Sequence, residues 1–294
     1  MVRIKTPPLE NLLVEERRMD RRRRSSYLCS TQCLIKAHAV KVEANVNTIS
    51  DVYRDSIRYK PETLTRIFEG ISSKALRSPQ RLVEIGVGTG YALEIASKVF
   101  LDAELVGVDV VPGMLEKADA RKYQTQPRFF LTSAESINLP DKFSALTYSC
   151  CAFHLFQKKL EAASEMIRIT EPGGLVAVIG YSHADLQSQV FHEYFPEFSR
   201  RELILHPEPS QISDIFTSLG ATIEGTIREE FSVNFESPDE VVELIEERQF
   251  FGLRTMPDDV FELGKIEFEE SFRNFYVNKP VVSVSALTAT LFRV

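Results

Sequence analysis

Three glycines separated by single residues follow a short apolar run, at Gly86, Gly88 and Gly90. Glycine lacks a Cβ atom, so these positions let the chain turn sharply and approach a ligand closely. A second apolar run reaches Asp109 near its end, and a carboxylate there can accept hydrogen bonds from ribose hydroxyls. A glycine loop paired with a later acid is typical of a nucleoside-binding site.

The spacing of the glycines argues against two common nucleotide sites. A dinucleotide fingerprint needs G-x-G-x-x-G, and the position of its third glycine is occupied here by Tyr91. The sequence also lacks G-x-x-x-x-G-K-[ST], the loop that cradles nucleotide triphosphates. The pattern therefore disfavours both a pyrophosphate at the helix end and a triphosphate.

The elements that must position these residues alternate between strand and helix. Strands are expected at 81–85, 104–110, 128–133, 144–152 and 175–180, and helices at 62–69, 91–100, 112–122 and 155–170. Later segments predict helices at 187–195, 211–219, 241–250 and 260–276, with strands at 222–235 and 281–294. This alternation predicts a parallel sheet that is covered by helices on both faces.

The pattern E-x-G-x-G-x-G from Glu84, followed by Asp109, resembles motifs I and II of the class I S-adenosylmethionine-dependent methyltransferases. The resemblance covers about 53–181 and is strongest to the small-molecule branch, which includes ubiquinone-biosynthesis and trans-aconitate methyltransferases. It implies a Rossmann-like α/β fold, with a seven-stranded, mostly parallel sheet, an antiparallel last strand and helical lid elements. It also implies S-adenosyl-L-methionine as cofactor, S-adenosyl-L-homocysteine as product and a small-molecule acceptor.

Shorter blocks carry the same resemblance. Tyr53, Arg58 and Pro61 resemble a stretch that closes over the cofactor, and the Glu-Pro-Gly-Gly turn at 171–174 resembles the family's turn before strand five. The loop that starts at Ser133 resembles the adenine loop of the family. It departs from that pattern because Ser133 stands where Asp is common and because the loop is longer.

The resemblance assigns the cofactor site residue by residue. Glu84 orients the glycine loop, Asp109 binds the ribose, and Val110 and Met114 pack against adenine, with ordinary core packing as the alternative for the last two. The full set expected to bind the cofactor is Tyr53, Arg58, Glu84, Gly86, Gly88, Gly90, Asp109, Val110, Met114, Ser133, Ala134 and Cys150.

The candidate catalytic residue is His154, the only histidine in the matched core. Methyl transfer to a hydroxyl needs a base, and the ordinary pKa of histidine, about 6.5, suits that task. The alternative is that His154 packs beside the cofactor or caps the next helix. Cys150 and Cys151 are interpreted as small strand residues, since no proline precedes them as in cytosine-modifying enzymes.

The segment after residue 182 is rich in aromatic side chains, which favours an apolar or aromatic acceptor. His183, His192 and His206 are lesser base candidates there. They lack the acidic neighbours of a metal site, so no metal is expected. The predicted divisions are a basic, partly disordered extension at 1–48, a cofactor-binding core at 49–182 and an acceptor-binding lobe with the last two strands at 183–294.

The net charge of −7 is uneven, because residues 1–24 carry eight basic and four acidic side chains and the remainder is left at −11. An acidic body disfavours a nucleic-acid substrate. No apolar run is long enough to span a membrane, and four cysteines are too few for a disulfide framework. The first residues lack an apolar stretch of the kind found in signal peptides, so no secretory signal is expected. A cytoplasmic protein is expected.

Two other functions stay open. The arginine-rich segment near the start could dock a protein substrate, which would make the chain a protein methyltransferase. The chain could also bind the cofactor without transferring a methyl group, because a fold does not fix a reaction. The oligomeric state, the acceptor and the methylated atom are not predicted.

Overall fold

Seven strands of the described chain form one sheet. The computed structural model describes residues 59–277 and 279–294. The strands are β1 (Arg81–Ile85), β2 (Glu104–Asp109), β3 (Arg128–Leu131), β4 (Ser144–Cys150), β5 (Thr170–Gly180), β6 (Thr222–Phe235) and β7 (Val281–Arg293). Their order is β3-β2-β1-β4-β5-β7-β6. Strands β1 to β5 are parallel, whereas β7 runs antiparallel to both β5 and β6, which confirms the predicted fold class.

Helices connect these strands. In chain order the described helices are α1 (Pro61–Lys74), α2 (Tyr91–Val99), α3 (Pro112–Asp119), α4 (Lys159–Ile169), α5 (His183–Gln187), α6 (Val190–Tyr194), α7 (Pro196–Leu205), α8 (Pro209–Ser218), α9 (Pro238–Glu246), α10 (Phe251–Arg254) and α11 (Asp258–Phe275). Five of them begin with proline, whose fixed φ and missing N–H suit the first turn.

The two faces of the sheet are buried in separate cores. Leu82 of β1 belongs to the core that α1 and α2 cover, whereas Val83 and Ile85 belong to the core that α4 and α8 cover. This alternation follows from the two-residue period of a strand. A third core is formed by the helices α6, α7, α9, α10 and α11. It includes Phe235 at the end of β6 and Val281 at the start of β7, which are paired across the two strands.

Glycine favours a helix end, but α1 continues through Gly70 to Lys74, so the predicted end of the first helix at residue 69 is wrong. A Cβ atom at Gly70 would lie 2.8 Å from Cδ1 of Ile227 in β6. The glycine therefore permits close packing between α1 and the sheet. The predicted extension at 1–48 and residues 51–58 lie outside the described residues.

Other differences lie in the helices. Helix α4 begins at Lys159, later than the predicted start at residue 155. Leu160 fits the apolar face of the predicted helix but is 53% exposed. The helix predicted at 187–195 is shorter, since α6 spans only Val190–Tyr194, and both α5 and α7 were missed. The buried side chains of α7 are only Phe198 and Glu202, which is too narrow an apolar stripe to recognise. Within the described ranges, no helix is long and apolar enough to cross a membrane.

Candidate functional site

The candidate site lies where the strand order reverses. Strand β1 pairs with β2 on one side and with β4 on the other. After β1 the chain therefore continues toward one edge of the sheet, to β2, and after β4 it continues toward the other edge, to β5. In open α/β sheets, ligands bind in the crevice beyond the carboxyl ends of the strands at such a point. The glycine loop follows β1 and a 3₁₀ turn, Phe153–Leu155, follows β4.

All three glycines of the loop have left-handed backbone conformations, with φ of +74°, +53° and +77° at Gly86, Gly88 and Gly90. Residues with a Cβ atom rarely adopt such angles. A Cβ atom on Gly86 would lie 2.5 Å from Cβ of Ala152, whereas one on Gly88 would meet no atom within 4 Å. Gly86 therefore permits close packing onto the segment after β4, and Gly88 borders open space that a ligand can fill.

Asp109 ends β2 and holds the loop through its carboxylate. Its Oδ2 accepts a hydrogen bond from the backbone N–H of Gly88 at 2.8 Å, and its Oδ1 accepts one from Val111 at 3.0 Å. Burial raises the pKa of Asp109, and these backbone donors oppose the shift. Each carboxylate oxygen can accept a further hydrogen bond, so Asp109 can hold the loop and bind a ribose hydroxyl.

Glu84 is buried in β1, with 1% of its surface exposed, and accepts a hydrogen bond from the hydroxyl of Tyr148 at 3.1 Å. Burial raises the pKa of Glu84 well above its usual value, the Tyr148 hydroxyl lowers it, and the neighbouring charges of Asp109 and Cys151 raise it. A cation near this carboxyl group would favour its ionised form. Glu84 can therefore complement a ligand ammonium group.

The residues expected near adenine follow β2 and β3. Val110 is 60% exposed and Met114 is buried, so Val110 offers apolar surface beside Asp109. The hydroxyl of Ser133 is hydrogen-bonded to the carboxylate of Glu135. The same hydroxyl oxygen accepts a hydrogen bond from the backbone N–H of Glu135 at 3.1 Å. Ala134 is buried. The loop is thus held by its own hydrogen bonds, and the Ser133 hydroxyl is engaged within it.

The end of β4 carries Cys150 and Cys151. Cys150 is buried, and its Sγ lies 3.9 Å from the Tyr59 hydroxyl. A hydrogen bond with Cys151 and burial raise the pKa of the Cys150 thiol, so the unreactive thiol form is favoured. Cys151 has an unusual φ of +50° for a residue with a side chain, which sequence reasoning did not reveal. Tyr53 and Arg58, the other predicted cofactor residues, lie outside the described part of the chain.

His154 lies in the 3₁₀ turn after β4, at the carboxyl edge of the sheet. Its ring stacks on His206, with centroids 3.8 Å apart and planes at 19°. Lys159 donates hydrogen bonds to the backbone oxygens of His154 and Phe156, both at 3.0 Å. The side chain of the candidate base is therefore packed on a second histidine from the later lobe.

A cavity of about 30 Å³ adjoins this histidine pair, and we call it the histidine cavity. Its lining residues come from the end of β4, the helices after β5, and strands β6 and β7: Cys151, His154, Tyr181, Leu186, Gln189, Phe191, His192, Glu202, His206, Phe231, Val233, Phe235, Phe250, Ser283 and Ser285. Sequence reasoning anticipated the histidines His192 and His206 but missed Tyr181, Glu202 and Phe231, which tertiary contacts bring together.

The remaining predicted residues of the lobe lie elsewhere. His183 does not line the cavity. Its Nε2 lies 2.8 Å from the backbone oxygen of His206, and its Nδ1 lies 3.1 Å from Glu208. Among the aromatic residues of the lobe, Phe195, Phe198 and Phe272 belong to its core. Most aromatic side chains there stabilise the fold, and within the described ranges no cluster of three or more His, Cys, Asp or Glu side chains could hold a metal ion.

The strand order, the glycine loop and the acid after β2 together define the class I methyltransferase fold. Residues 83–178 match the family described as a methyltransferase domain. The chain is also similar to malonyl-[acyl-carrier protein] O-methyltransferase of Acetivibrio thermocellus, at 25% identity over 62% of this chain and 63% of that protein. Demethylmenaquinone methyltransferase of Deinococcus radiodurans is 24% identical over 49% of this chain and 68% of that protein.

The solved structures show the same fold. The YcgJ protein of Bacillus subtilis has a TM-score of 0.56 and 18% identity, and the match covers 80% of this chain and 99% of that one. Two further malonyl-[acyl-carrier protein] O-methyltransferases are matched over 46% and 49% of their length. The chain thus spans between about half and 63% of the length of the three relatives of this kind. Residues 83–178 therefore form a methyltransferase domain, and the described chain has the fold of the class I S-adenosylmethionine-dependent methyltransferases.

Proposed function

We propose that this chain transfers a methyl group from S-adenosyl-L-methionine to a small molecule. The hydrogen bond between Asp109 and Gly88 carries the proposal most directly, because it places a carboxylate beside a glycine that borders open space. The two relatives named above are methyltransferases whose names give different acceptors, which supports the reaction and leaves the acceptor to be identified.

Each side chain of the cofactor site has a proposed task. The glycine loop admits the methionine end of the cofactor, and Glu84 complements its ammonium group. Asp109 accepts hydrogen bonds from the ribose hydroxyls. Val110 and Met114 provide apolar contacts for the adenine ring. These tasks fit the observed burial of Glu84 and exposure of Val110.

When bound, S-adenosyl-L-methionine supplies an electrophilic methyl group on a sulfonium. The protein must align the acceptor with that group and exclude water. A hydroxyl acceptor must also lose its proton, and His154 is the proposed base because it lies at the carboxyl edge of β4 and borders the histidine cavity. The histidine cavity, whose walls include Phe191, Phe231 and Phe250, is the proposed acceptor site.

The test is transfer of labelled methyl from S-adenosyl-L-methionine into a native cell extract, separated into small molecules and protein. Asp109→Ala is the variant expected to lose activity. Asp102→Ala is its matched control, because Asp102 is exposed and precedes the opposite, amino end of β2. Label in small molecules that Asp109→Ala abolishes and Asp102→Ala retains would support the proposal.

Other outcomes would redirect the assignment. Label in the protein fraction would make the chain a protein methyltransferase. Binding of the cofactor without any transfer would favour a protein that uses this fold for another purpose. Equal labelling by Asp109→Ala and the wild type would contradict the proposed site.

A further inference from the structure

The histidine cavity has an unusual set of polar groups for an enclosed site. Three histidines, the carboxyl group of Glu202 and the side chains of Gln189, Ser283 and Ser285 line it together with apolar side chains. Its lining within the described residues includes no lysine or arginine. The cavity therefore offers hydrogen bonds to a ligand but no permanent positive charge.

His192 is the polar group in this cavity that most clearly lacks a partner. It is 4% exposed, and its Nδ1 makes no hydrogen bond with any described residue. The ring is held by stacking on Phe198, with centroids 4.7 Å apart, and by contact with Phe191 at 5.3 Å. Leaving a buried polar atom unpaired costs about 1–3 kcal/mol, so a bound polar group would be favoured here.

Burial, together with the neighbouring His206, lowers the pKa of His192 from 6.5 to about 3. The imidazole is therefore neutral at physiological pH. A neutral imidazole has one nitrogen that donates and one that accepts a hydrogen bond. It can exchange a hydrogen bond with a hydroxyl or amine but cannot neutralise a carboxylate.

Glu202 makes an anionic ligand still less favourable. Its carboxyl group is buried, accepts a hydrogen bond from the backbone N–H of Gly252 at 2.7 Å and lies 3.7 Å from Nδ1 of His206. A second carboxyl group in the same cavity would lose its hydration without gaining a fixed cation. The charge distribution thus selects against acidic acceptors.

We propose that the histidine cavity receives the polar end of an uncharged methyl acceptor, a hydroxyl or amine on an aromatic body, and that His192 hydrogen-bonds to that group. This inference rests on the proposed function, because it treats the cavity as the acceptor site. The cavity of about 30 Å³ accommodates roughly two water-sized groups, which suits the polar end of a molecule. Phe191, Phe231 and Phe250 also line the cavity and present apolar surface beside that polar end.

The experiment compares phenol with benzoate, two probes that share a ring and differ in charge. Binding is measured by NMR titration of protein labelled with ¹⁵N in its histidines, both with and without saturating S-adenosyl-L-homocysteine. The expected result is that phenol binds at least tenfold more tightly than benzoate and shifts the ring nitrogen signals of His192. Equal or tighter binding of benzoate would overturn the inference.

Variants separate recognition from folding. His192→Phe removes the nitrogens and keeps a ring, His192→Gln restores a hydrogen-bonding group, and His183→Phe is a control outside the cavity. We expect His192→Phe to lower the affinity for phenol about tenfold. The affinity of His192→Gln should be closer to that of the wild type, and the affinity of His183→Phe should equal it. Unchanged phenol affinity in a folded His192→Phe protein would also overturn the inference.

Failure of the proposed function is distinguishable from failure of this inference. Calorimetric titration with S-adenosyl-L-homocysteine reports the cofactor site, and His192→Phe should leave that affinity unchanged. A wild-type protein that does not bind S-adenosyl-L-homocysteine would refute the proposed function. The preference for phenol over benzoate in the cofactor-free protein would still decide whether the cavity selects an uncharged ligand.

Discussion

The carboxylate of Asp109 accepts a hydrogen bond from the backbone N–H of Gly88 at 2.8 Å. This contact joins the end of β2 to the loop after β1, across the point where the strand order reverses. The loop is therefore held in its left-handed conformation by the same side chain that is proposed to bind the ribose. A site organised before the ligand arrives loses less conformational freedom on binding.

Gly86→Ala and Gly88→Ala should fail in different ways. Both place a side chain at a left-handed φ, which costs about 1–3 kcal/mol, but only the first also brings Cβ within 2.5 Å of Ala152. We expect Gly86→Ala to lose more stability in urea unfolding. Gly88→Ala should remain folded and bind S-adenosyl-L-homocysteine at least tenfold more weakly, because its methyl group enters the open space. Wild-type affinity in folded Gly88→Ala would contradict the proposed position of the cofactor.

Glu84→Gln should stabilise the unliganded protein at neutral pH. The pKa of Glu84 is raised in the folded state, mainly by burial, so the unfolded chain releases this proton at lower pH than the folded chain does. The penalty for burying Glu84 therefore grows as pH rises above about 4.5, and glutamine avoids it. We expect thermal unfolding to show a gain in stability for Glu84→Gln at pH 7 that disappears below pH 4.

Glu84→Gln should also weaken binding of the cofactor. If Glu84 complements the ammonium group, Glu84→Gln removes that charge and the affinity for S-adenosyl-L-homocysteine should fall several-fold. The matched variant Glu94→Gln changes a partly exposed carboxylate of α2 that pairs with Lys98 and Arg121. It should leave the affinity for S-adenosyl-L-homocysteine unchanged. A stabilised Glu84→Gln protein with unaltered affinity would remove Glu84 from the cofactor site.

His192 should make the protein sensitive to acid. Its pKa is lowered from 6.5 to about 3 by burial and by His206, so between these values the unfolded chain binds a proton that the folded chain does not. The stability of the wild type should therefore fall as pH decreases below 6.5, by about 1.4 kcal/mol for each pH unit from this residue alone. Denaturant unfolding at pH 4 to 7 should show a shallower pH dependence in His192→Phe, and equal slopes would show that His192 is not buried as described.

The glycine loop and Asp109 can be recognised in the sequence more readily than the histidine cavity, for a physical reason. Gly86, Gly88 and Gly90 are required by their own backbone angles, and Asp109 by its place at a strand end, so a local pattern reveals them. The roles of His192 and Glu202 depend instead on contacts between distant elements. No spacing along the chain indicates that both residues line the same cavity.

Gly70 and Leu160 illustrate the same limit within the fold. Gly70 has the chemistry of a helix stop, but it is needed where α1 approaches Ile227, more than 150 residues later in the chain. Leu160 fitted the apolar face of the predicted helix, yet α4 begins one residue before it and leaves it exposed. Tertiary packing decided both positions, and local propensity carries no information about it.

The most direct test of the central claim is calorimetric titration of the purified full chain with S-adenosyl-L-homocysteine, comparing the wild type with Asp109→Ala and Asp102→Ala. We predict one binding site per chain, an affinity at least tenfold lower in Asp109→Ala and no change in Asp102→Ala. Failure of the folded wild type to bind, or equal affinity in Asp109→Ala, would contradict the assignment of this crevice as the cofactor site.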